Sequence, residues 1–354
     1  MRTTHDEGSF SRMSQTRRTA VTLTLACVLT ATFQQPVRAE PGAPSTLPEV
    51  RAELRRLYRD AERATEKYNA VDEKVTQQEK RVRTLASRVR AAERRLGRLT
   101  SLAGAAARAQ YRSGGVPAEV QFVLAGDPET ALDNASLARR AQQSTEGVLT
   151  ALAETREDLS ARKDDASEEL DGLRSNRRSM AAERRTIEKN IAAARKVESR
   201  LKAEERRRLA ALEEREADRA QAEWERTGIL DQVGTEATPA GRKAIAYATR
   251  QLGKPYVWGA EGPDSFDCSG LTSQAWLHAG VTIPRTSEEQ WRRLTRIPVE
   301  NMRPGDLVIY YADASHVAIY IGDGEVIQAP RPGRWVYVSP VASMEILGVV
   351  RPDA

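Results

Sequence analysis

The sequence predicts an α+β protein in which a long antiparallel helical hairpin precedes a smaller domain of helices followed by strands. Two observations support this fold class. From Val50 to Ala106, apolar or small residues recur in alternating steps of four and three, which is the heptad pattern of a coiled coil. Beyond Gly241 the heptads disappear, aromatic, glycine and proline residues become frequent, and short β-type runs follow helix-like segments.

The first 39 residues have the features of an export signal. Arg17 and Arg18 precede an apolar run that is shorter than the roughly 20 residues a stable transmembrane helix needs. Small or apolar residues from Val37 to Ala39 suit a signal peptidase, so we expect residues 1–39 to be removed. The arginine pair leaves both the general and the twin-arginine export route open. The expected location is outside the cell or in the cell wall, with no stable membrane span after cleavage.

The heptad pattern predicts a helical coiled-coil domain over residues 40–227. Its first half contains about eight heptads, broken only at Gln78, which predicts a rod roughly 90 Å long. Paired glycines and a proline interrupt the pattern in a connector near residues 112–130, and the pattern then resumes to about Trp224. Two such helices would fold back as an antiparallel hairpin. Dimerisation through the same hydrophobic seams is the alternative.

Two roles fit this helical region, and it contains no pattern typical of catalysis. Its charge runs, such as residues 204–208, are most simply solvated helix faces, as in a spacer. The apolar residues 120–124 lie between two flexible joints of the connector and could instead occupy a groove elsewhere in the protein. In that case the helical region would be a regulatory arm.

The charge balance argues against nucleic acid as a partner. The chain has 55 basic and 50 acidic residues, a net charge of +5. This mild excess suits an anionic cell envelope. It is not the concentrated basic patch with interleaved aromatic residues that predicts nucleic-acid binding.

Cys268 is the one cysteine expected in the exported chain, because Cys27 lies in the signal. Since secreted chains usually pair their cysteines, a lone thiol is an intermolecular bridge, a buried apolar group or a reactive group. We expect no metal, because only His278 and His316 accompany it and their spacing differs from known zinc patterns. No cofactor is expected.

A reactive role for Cys268 requires a helix start and a nearby imidazole. The sequence predicts a helix from Cys268 to Ala279, whose unpaired N–H groups would lower the pKa of the thiol. His278 would lie about 15 Å away along the axis of this helix and could not reach the sulfur. His316, at the predicted start of a strand, remains the candidate base. A lone histidine at such a position is, in general, more often structural.

A catalytic imidazole also needs a third group that holds its ring and tautomer. If the next β-hairpin has a loop of three residues, 322–324, Gln328 lies on the same sheet face as His316, about 7 Å away diagonally. With a two-residue loop, Gln328 would point to the opposite face. The amide oxygen of Gln328 could accept the imidazole N–H, although it would stabilise an imidazolium less than a carboxylate would.

Five ordered motifs occupy the last third of the chain, after an expected linker at residues 228–236. They are GKPYVWG at 253–259, FDCSG at 266–270, PRTS at 284–287, PGDL at 304–307 and SHVAIYIG at 315–322. Together they resemble the NlpC/P60 family of cell-wall cysteine peptidases. The helical region resembles, by architecture alone, the coiled-coil regulatory regions that precede such domains in some secreted hydrolases.

The resemblance implies a papain-like NlpC/P60 α+β domain over residues 237–354. Such domains hydrolyse amide bonds in the stem peptides of peptidoglycan, commonly between D-glutamate and a diamino acid. By position, Cys268 matches the family nucleophile, His316 the general base and Gln328 the third, orienting residue. Many family members have histidine at the third place, so Gln328 departs from the commonest pattern.

Three further residues match positions around the nucleophile. Tyr256 matches an aromatic residue whose hydroxyl lies near the sulfur and could help to bind the oxyanion. Asp267 and Ser269 match polar positions suited to the free amino group of a stem peptide. An aspartate before a helix is also a good N-terminal cap, so Asp267 has a structural interpretation as well.

Three functions are compatible with these features: a peptidoglycan endopeptidase, a related papain-like acyltransferase or amidase, and a catalytically silent wall-binding activator. The presence of Cys268, His316 and Tyr256 argues against a silent protein. We also expect the helical hairpin to restrain the enzyme by covering its cleft, because free cell-wall hydrolysis is dangerous and the connector is apolar. A membrane-anchored activator that acts on the coiled coil is the expected regulatory partner.

Overall fold

Two very long helices form the first part of the structure. The computed structural model of the chain describes residues 46–112, Val120 and residues 128–354. The expected signal peptide and most of the expected connector lie outside the described residues. The long helices are α1, Leu47–Arg112, and α2, Pro128–Arg200.

Helices α1 and α2 pair along their length as an antiparallel hairpin. Asn176 on α2 donates a hydrogen bond to Gln78 on α1 (2.8 Å), and Lys163 pairs with Glu93 at 3.0 Å. Ile187 of α2 packs against the start of α1. Positions on α2 therefore decrease as positions on α1 increase, which confirms the predicted antiparallel hairpin within one chain.

The hairpin is best packed near the start of α1. Leu54, Ala61 and Ala64 of the predicted seam are buried there, whereas Leu102 is 56% exposed. Because burial of apolar side chains is the main stabilising term, the first third of α1 is the firmly packed part of the hairpin.

The heptad pattern predicted that the second helical segment continues to about Trp224, but the structure divides this segment into two helices. After α2 ends, α3, Ala203–Glu225, begins behind Lys202, which has extended backbone. The Lys202 N–H donates to the Glu205 carboxylate (2.7 Å), and such a cap stabilises a new helix start. Apolar spacing does not reveal the break because it lies between two segments of similar composition.

Helix α3 packs on the sheet of the C-terminal part. The Gln221 amide donates to the carbonyl of Gly324 (3.3 Å) and accepts the N–H of Ala342 (3.0 Å). The expected linker, residues 228–236, is also held, since the Gly234 N–H donates to the carbonyl of Met302 (2.7 Å). The C-terminal part is thus attached to the hairpin by a packed helix and an anchored segment.

The C-terminal part, called the sheet domain below, contains three helices and six strands. The helices are α4, Pro239–Thr249, α5, Cys268–His278, and α6, Ser287–Arg293. The strands are β1, Thr295–Ile297, β2, Leu307–Tyr310, β3, His316–Gly322, β4, Glu325–Gln328, β5, Tyr337–Pro340, and β6, Ile346–Arg351. They form one antiparallel sheet in the order β1-β6-β2-β3-β4-β5. This confirms the α+β class, while the short α6 and β1 were not predicted.

The sheet is covered on both faces. Val317 and Ile319 of β3 pack in one cluster with residues of α4 and α5, including Trp276. Ala318 and Tyr320 belong to a second cluster, against which Trp224 of α3 packs, so β3 alternates between two cores. Among the described residues, no helix is both long and apolar enough to cross a bilayer.

Gly270 allows α5 to approach a neighbouring loop closely. A Cβ at this position would lie 2.2 Å from the carbonyl oxygen of Ala260 and 2.8 Å from Oδ1 of Asp267. We therefore expect Gly270→Ala to lower the free energy of unfolding by about 1–3 kcal/mol, measured by tryptophan fluorescence in denaturant.

The matched control is Gly97→Ala on α1, where a new Cβ would meet nothing within 4 Å. This change should leave stability unaltered or raise it by up to about 1 kcal/mol, because alanine favours helix. If Gly270→Ala unfolded at the same denaturant concentration as the unaltered protein, the close approach would not be a constraint.

Candidate active site

Asp267 fixes the start of α5, where Cys268 is the first residue. Its Oδ1 accepts the N–H of Gly270 (2.6 Å), and its Oδ2 accepts the N–H of Gly259 (2.9 Å). Arg285 adds two hydrogen bonds, of 3.0 and 2.7 Å. The capping interpretation of Asp267 thus applies, and the cap presents the Cys268 thiol at the positive end of the helix.

His316, at the start of β3, is held by Gln328 at the end of β4. The imidazole Nε2–H donates to the Gln328 amide oxygen (2.8 Å), and the Gln328 NH₂ donates to the Ser339 hydroxyl (2.5 Å). An amide oxygen can only accept a hydrogen bond, so these two hydrogen bonds assign the proton to Nε2. Nδ1 then faces away from Gln328.

Gln328 reaches this face by a different route from the one predicted. Gly322 pairs with Glu325, so the loop has two residues, and the three-residue loop on which the expected position of Gln328 depended is not formed. A register shift between Tyr320 and Gly322 follows, and it restores the register that a three-residue loop would have produced. The expectation that a two-residue loop would turn Gln328 away is therefore wrong, because the bulge compensates for the missing residue.

The Cys268 sulfur lies in a cluster with two other polar groups. Sγ, an imidazole nitrogen of His316 and a carboxylate oxygen of Glu62 lie within 4.8 Å of one another. Burial raises the pKa of the Cys268 thiol well above its ordinary value, and the charges of Glu66 and Glu62 raise it further. The predicted lowering of the thiol pKa by the helix is therefore wrong for this arrangement.

Tyr256 and Ser269 lie in the same pocket. Tyr256 is buried, and the pKa of its hydroxyl is raised well above the ordinary value first by burial and then by the charge of Cys268. The Ser269 hydroxyl accepts from Arg285 (2.8 Å) and donates to Oε1 of Glu66 (2.8 Å). The structure thus brings all six residues selected from the sequence into one site.

Glu66 of α1 fills the centre of the site. Its Oε2 accepts the backbone N–H of Ser287 (2.6 Å) and the Ser287 hydroxyl (3.1 Å). Its Oε1 accepts from Ser269 and from the Cys268 thiol, whose sulfur is 3.7 Å away. This carboxylate is fully buried, so these donors replace the water it would otherwise bind.

Two neighbours of Glu66 on α1 contact the other site residues. Glu62 hydrogen-bonds Nδ1 of His316, and Asn69 donates to Oδ2 of Asp267 (3.1 Å). Burial lowers the pKa of the His316 imidazole, but the Glu62 carboxylate outweighs burial, so the pKa is raised overall.

The rim of the site is closed by the same part of α1. Arg59 pairs with Asp313 (3.1 Å) and lies 3.5 Å over the ring of Tyr311, while Tyr68 meets Trp258 edge to face at 5.1 Å. We call residues 59–69 the docking segment. It covers the site, and the covering side chains come from α1, whereas the sequence suggested the connector.

The docking segment was missed because its pattern has no local signature. Glu62, Glu66 and Asn69 are spaced i, i+4 and i+7, which places them on one helix face away from the seam. A polar stripe of this kind is indistinguishable in sequence from a solvated face. Arg285 could have been found, since it belongs to the PRTS motif at 284–287.

Docking places two acidic residues close together. Burial, followed by the charge of Asp267, raises the pKa of Glu66 to about 7. Burial and the neighbouring charge of Glu66 raise the pKa of Glu288 on α6 to about 8. Two neighbouring buried carboxyl groups repel each other when both are ionised, so at least one of them tends to keep its proton. The docked state therefore holds protons that separated carboxyl groups would release.

His278 lies apart from this site, as the helix geometry predicted. It is exposed at the end of α5, with Nδ1 2.8 Å from the Gln274 carbonyl oxygen, and it stacks on Tyr247 at 4.1 Å.

Comparisons with known proteins identify the sheet domain. The model of the NlpC/P60 family matches residues 253–346. A probable endopeptidase of Corynebacterium glutamicum is 43% identical over 104 residues, which is 28% of this chain and 50% of the relative. The probable endopeptidase p60 of Listeria monocytogenes is 47% identical over 91 residues, 25% of this chain and 19% of that protein.

The sheet domain is also similar to a solved structure. The P60 domain of an antigen from M. avium subspecies paratuberculosis is 34% identical, covers 31% of this chain and 92% of that domain, and has a TM-score of 0.30. The chain spans half the length of the corynebacterial relative and about a fifth of the Listeria protein.

We expect docking of α1 to weaken as the pH increases from about 4.5 to about 8. Burial raises the pKa of Glu288 above 4.5, and docking adds the charge of Glu66, which raises it further, so docking takes up protons within this window. The stabilisation of docking by this proton uptake is complete below pH 4.5, the ordinary pKa of Glu288. It is lost as the pH rises through the raised pKa of about 8. The measurement is hydrogen exchange of the Ser287 N–H, which Glu66 protects.

Two neighbouring variants separate this titration from general effects of pH. Glu288→Gln removes one titrating carboxyl and should make the dependence shallower, leaving the part that belongs to Glu66. Glu289→Gln should preserve it, because Glu289 is bound by Arg292 and its pKa is lowered. An unchanged pH dependence in Glu288→Gln would contradict the assignment to Glu288.

Proposed function

We propose that this chain, whose residues 253–346 belong to the NlpC/P60 family, is a cysteine peptidase that hydrolyses amide bonds in peptidoglycan stem peptides. The observation that carries this proposal is the convergence of the Cys268 thiol, the His316 imidazole and the Gln328 amide in one buried site. The names of the corynebacterial and Listeria relatives, probable endopeptidases, agree with it.

The geometry supports a thiol mechanism. Once the docking segment leaves, Nδ1 of His316 can take the Cys268 proton, and the resulting thiolate attacks the scissile carbonyl. In this mechanism, backbone N–H groups at the start of α5 and the Tyr256 hydroxyl, which is buried near Cys268, stabilise the oxyanion. The imidazolium then protonates the departing amine. Water, deprotonated by His316, hydrolyses the thioester and restores the thiol.

Gln328 acts in this scheme by holding the imidazole. Its amide oxygen keeps the proton on Nε2 and leaves Nδ1 directed towards the site of the sulfur. A neutral amide stabilises the imidazolium less than a carboxylate would. The fixed orientation, supported by Ser339, is therefore its main contribution.

The contacts of Glu66 support a substrate with a carboxylate. Ser269 and Ser287 bind the Glu66 carboxylate beside the sulfur. A D-glutamyl residue linked through its γ-carboxyl has a free α-carboxylate close to the scissile bond. We infer that this group takes the place of Glu66, and that the bond between D-glutamate and the diamino acid is cleaved. Asp267 remains the proposed contact for the stem-peptide amine, beside Ser269.

The docking segment holds the peptidase in an inhibited state. Glu66 occupies the space beside the thiol, Glu62 binds the imidazole nitrogen that the reaction needs, and the thiol pKa is raised. Docked α1 therefore blocks substrate entry and also disfavours the thiolate. Release requires α1 to move away from the sheet domain.

The remaining parts of the chain fit a restrained wall enzyme. Residues 237–354 form the proposed catalytic domain, residues 40–227 its regulatory helical domain, and residues 1–39 the proposed export signal for a secreted or wall-bound protein. The far end of the hairpin exposes Leu102, Leu132 and Leu137. Exposed apolar side chains of this kind suit a partner, here an activator anchored in the membrane.

Glu66→Arg should activate the full chain, because an arginine beside buried Arg285 cannot remain in the site. We expect release of soluble fragments from purified sacculi to increase about tenfold or more. Glu73→Arg, the same change at an exposed position of α1, is the control and should leave activity low. Equal activity of all three proteins would contradict inhibition by α1.

Cys268→Ala should abolish fragment release in the Glu66→Arg background, and His316→Ala should lower it by about 10²–10⁴-fold. His278→Ala is the matched control and should retain activity, since His278 lies outside the site. Mass spectrometry of the digest should show a cut between D-glutamate and the diamino acid. A transferred acyl group, or cleavage by the Cys268→Ala variant, would contradict the proposed reaction.

A further inference from the structure

Docking of α1 adds a third metal-ligating group, Glu62, to the two that the sheet domain already holds, Cys268 and His316. Glu62 comes from α1, Cys268 from the start of α5 and His316 from the start of β3, with their ligand atoms within 4.8 Å of one another. The His316 side chain is fully buried, and the Glu62 side chain is 11% exposed. Thiolate, imidazole and carboxylate are the three ligand types that zinc takes in proteins.

The imidazole is already oriented as a metal ligand would be. Metal-binding histidines usually donate their second N–H to a carbonyl or carboxylate, which fixes the tautomer and the ring. Here Nε2–H donates to the Gln328 oxygen, and Gln328 is itself held by Ser339. The lone pair of Nδ1 then points at the Glu62 carboxylate. Two acceptors facing each other require a cation between them, either a proton or a metal ion.

The electrostatics of the site also favour a cation. Two carboxylates of α1 lie beside the Cys268 sulfur: Oε1 of Glu66 is 3.7 Å from Sγ, and a Glu62 oxygen is within 4.8 Å of it. The opposing basic group, Arg285, is bound by Asp267 (2.7 Å) and by Glu261 (2.7 Å). A divalent ion bound among these atoms would offset the negative charge of the clustered carboxylates.

We propose that the docked hairpin completes a Zn²⁺ site with Sγ of Cys268, Nδ1 of His316 and a carboxylate oxygen of Glu62 as ligands, and water as the fourth. The ion replaces the hydrogen bond between Nδ1 and Glu62. The proton of that bond and the thiol proton pass to solvent, and no electron is transferred because zinc is not redox-active. Bonds of about 2.0–2.3 Å separate tetrahedral ligand atoms by roughly 3.3–3.8 Å, which is inside the 4.8 Å limit of the cluster, and the Glu62 carboxylate would draw back from Nδ1 to admit the ion.

Bound Zn²⁺ would link α1 directly to Cys268 and His316 and so hold the hairpin closed. As a restraint on the peptidase, this rests on the proposed function, whereas metal binding itself depends only on the docked geometry. It also departs from the expectation of no metal, which considered cysteine and histidine alone. The carboxylate ligand, Glu62, lies 254 residues before His316 in the sequence and enters only through docking.

The first measurement is binding by the full-length protein. Titration with Co²⁺ as a spectroscopic probe should give tetrahedral ligand-field bands and a thiolate-to-cobalt charge-transfer band, and Zn²⁺ should displace the cobalt. Competition with a chromophoric chelator gives the Zn²⁺ affinity. Loss of the charge-transfer band in Cys268→Ala is expected, and a spectrum without thiolate character in the unaltered chain would overturn the proposal.

The second measurement tests the ligand from α1. Glu62→Gln keeps the size of the side chain but removes its charge, and it should weaken Zn²⁺ binding about tenfold or more. Glu73→Gln on the exposed face of α1 should bind as the unaltered chain does. Gln328→Ala should weaken binding about 10–100-fold through loss of imidazole orientation. Equal affinity of Glu62→Gln and the unaltered chain would overturn the site.

Hydrogen exchange provides a readout independent of peptidase activity. Zn²⁺ should slow exchange across residues 59–69 in the unaltered chain and in Glu73→Gln, but not in Glu62→Gln. If Zn²⁺ bound without protecting these residues, the ion would sit on Cys268 and His316 alone, and the proposal would be wrong. The proposed function could still hold in that case, because cleavage of sacculi is measured separately.

Discussion

The site depends on the hydrogen bonds that the buried carboxylate of Asp267 accepts. This carboxylate caps α5 through Gly270, receives the N–H of Gly259 and binds the Arg285 guanidinium. A buried carboxylate is stable only where hydrogen-bond donors replace the water molecules that would otherwise solvate it. Here the donors tie the start of α5 to the segments that carry Gly259 and Arg285. Asn69 of the docking segment donates to the same carboxylate. The Asp267 carboxylate therefore both positions Cys268 and contacts α1.

Helix α1 uses two faces for two purposes. Its seam, including Ala61 and Ala64, packs on α2, while Glu62 and Glu66 face the sheet domain. Because both faces belong to one continuous helix, the docking segment cannot leave the site by a side-chain rotation alone. A displacement of the hairpin must carry the segment with it. The long helices thus couple a distant surface to the covered site.

The docked arrangement controls the charge state of the site as well as access to it. The pKa of the thiol is raised by burial and by carboxylates of α1, and the same helix supplies the acid that binds His316. A nucleophile is useful only as a thiolate beside an available imidazole. In the proposed inhibited state, docking removes both conditions. It also places several carboxylates around the sulfur, so the proposed inhibition and the proposed cation binding would arise from the same charges.

Several features of this protein follow from its sequence alone. The heptads predicted the hairpin, five motifs located the sheet domain, and the lone Cys268 with His316 indicated the site, because periodicity and motif spacing are local properties. The tertiary structure decided three other features: what the face with Glu62 and Glu66 packs against, the break at Lys202, and the bulge that restores the position of Gln328. A polar helix face has the same pattern whether it meets water or a buried site, so only packing distinguishes the two.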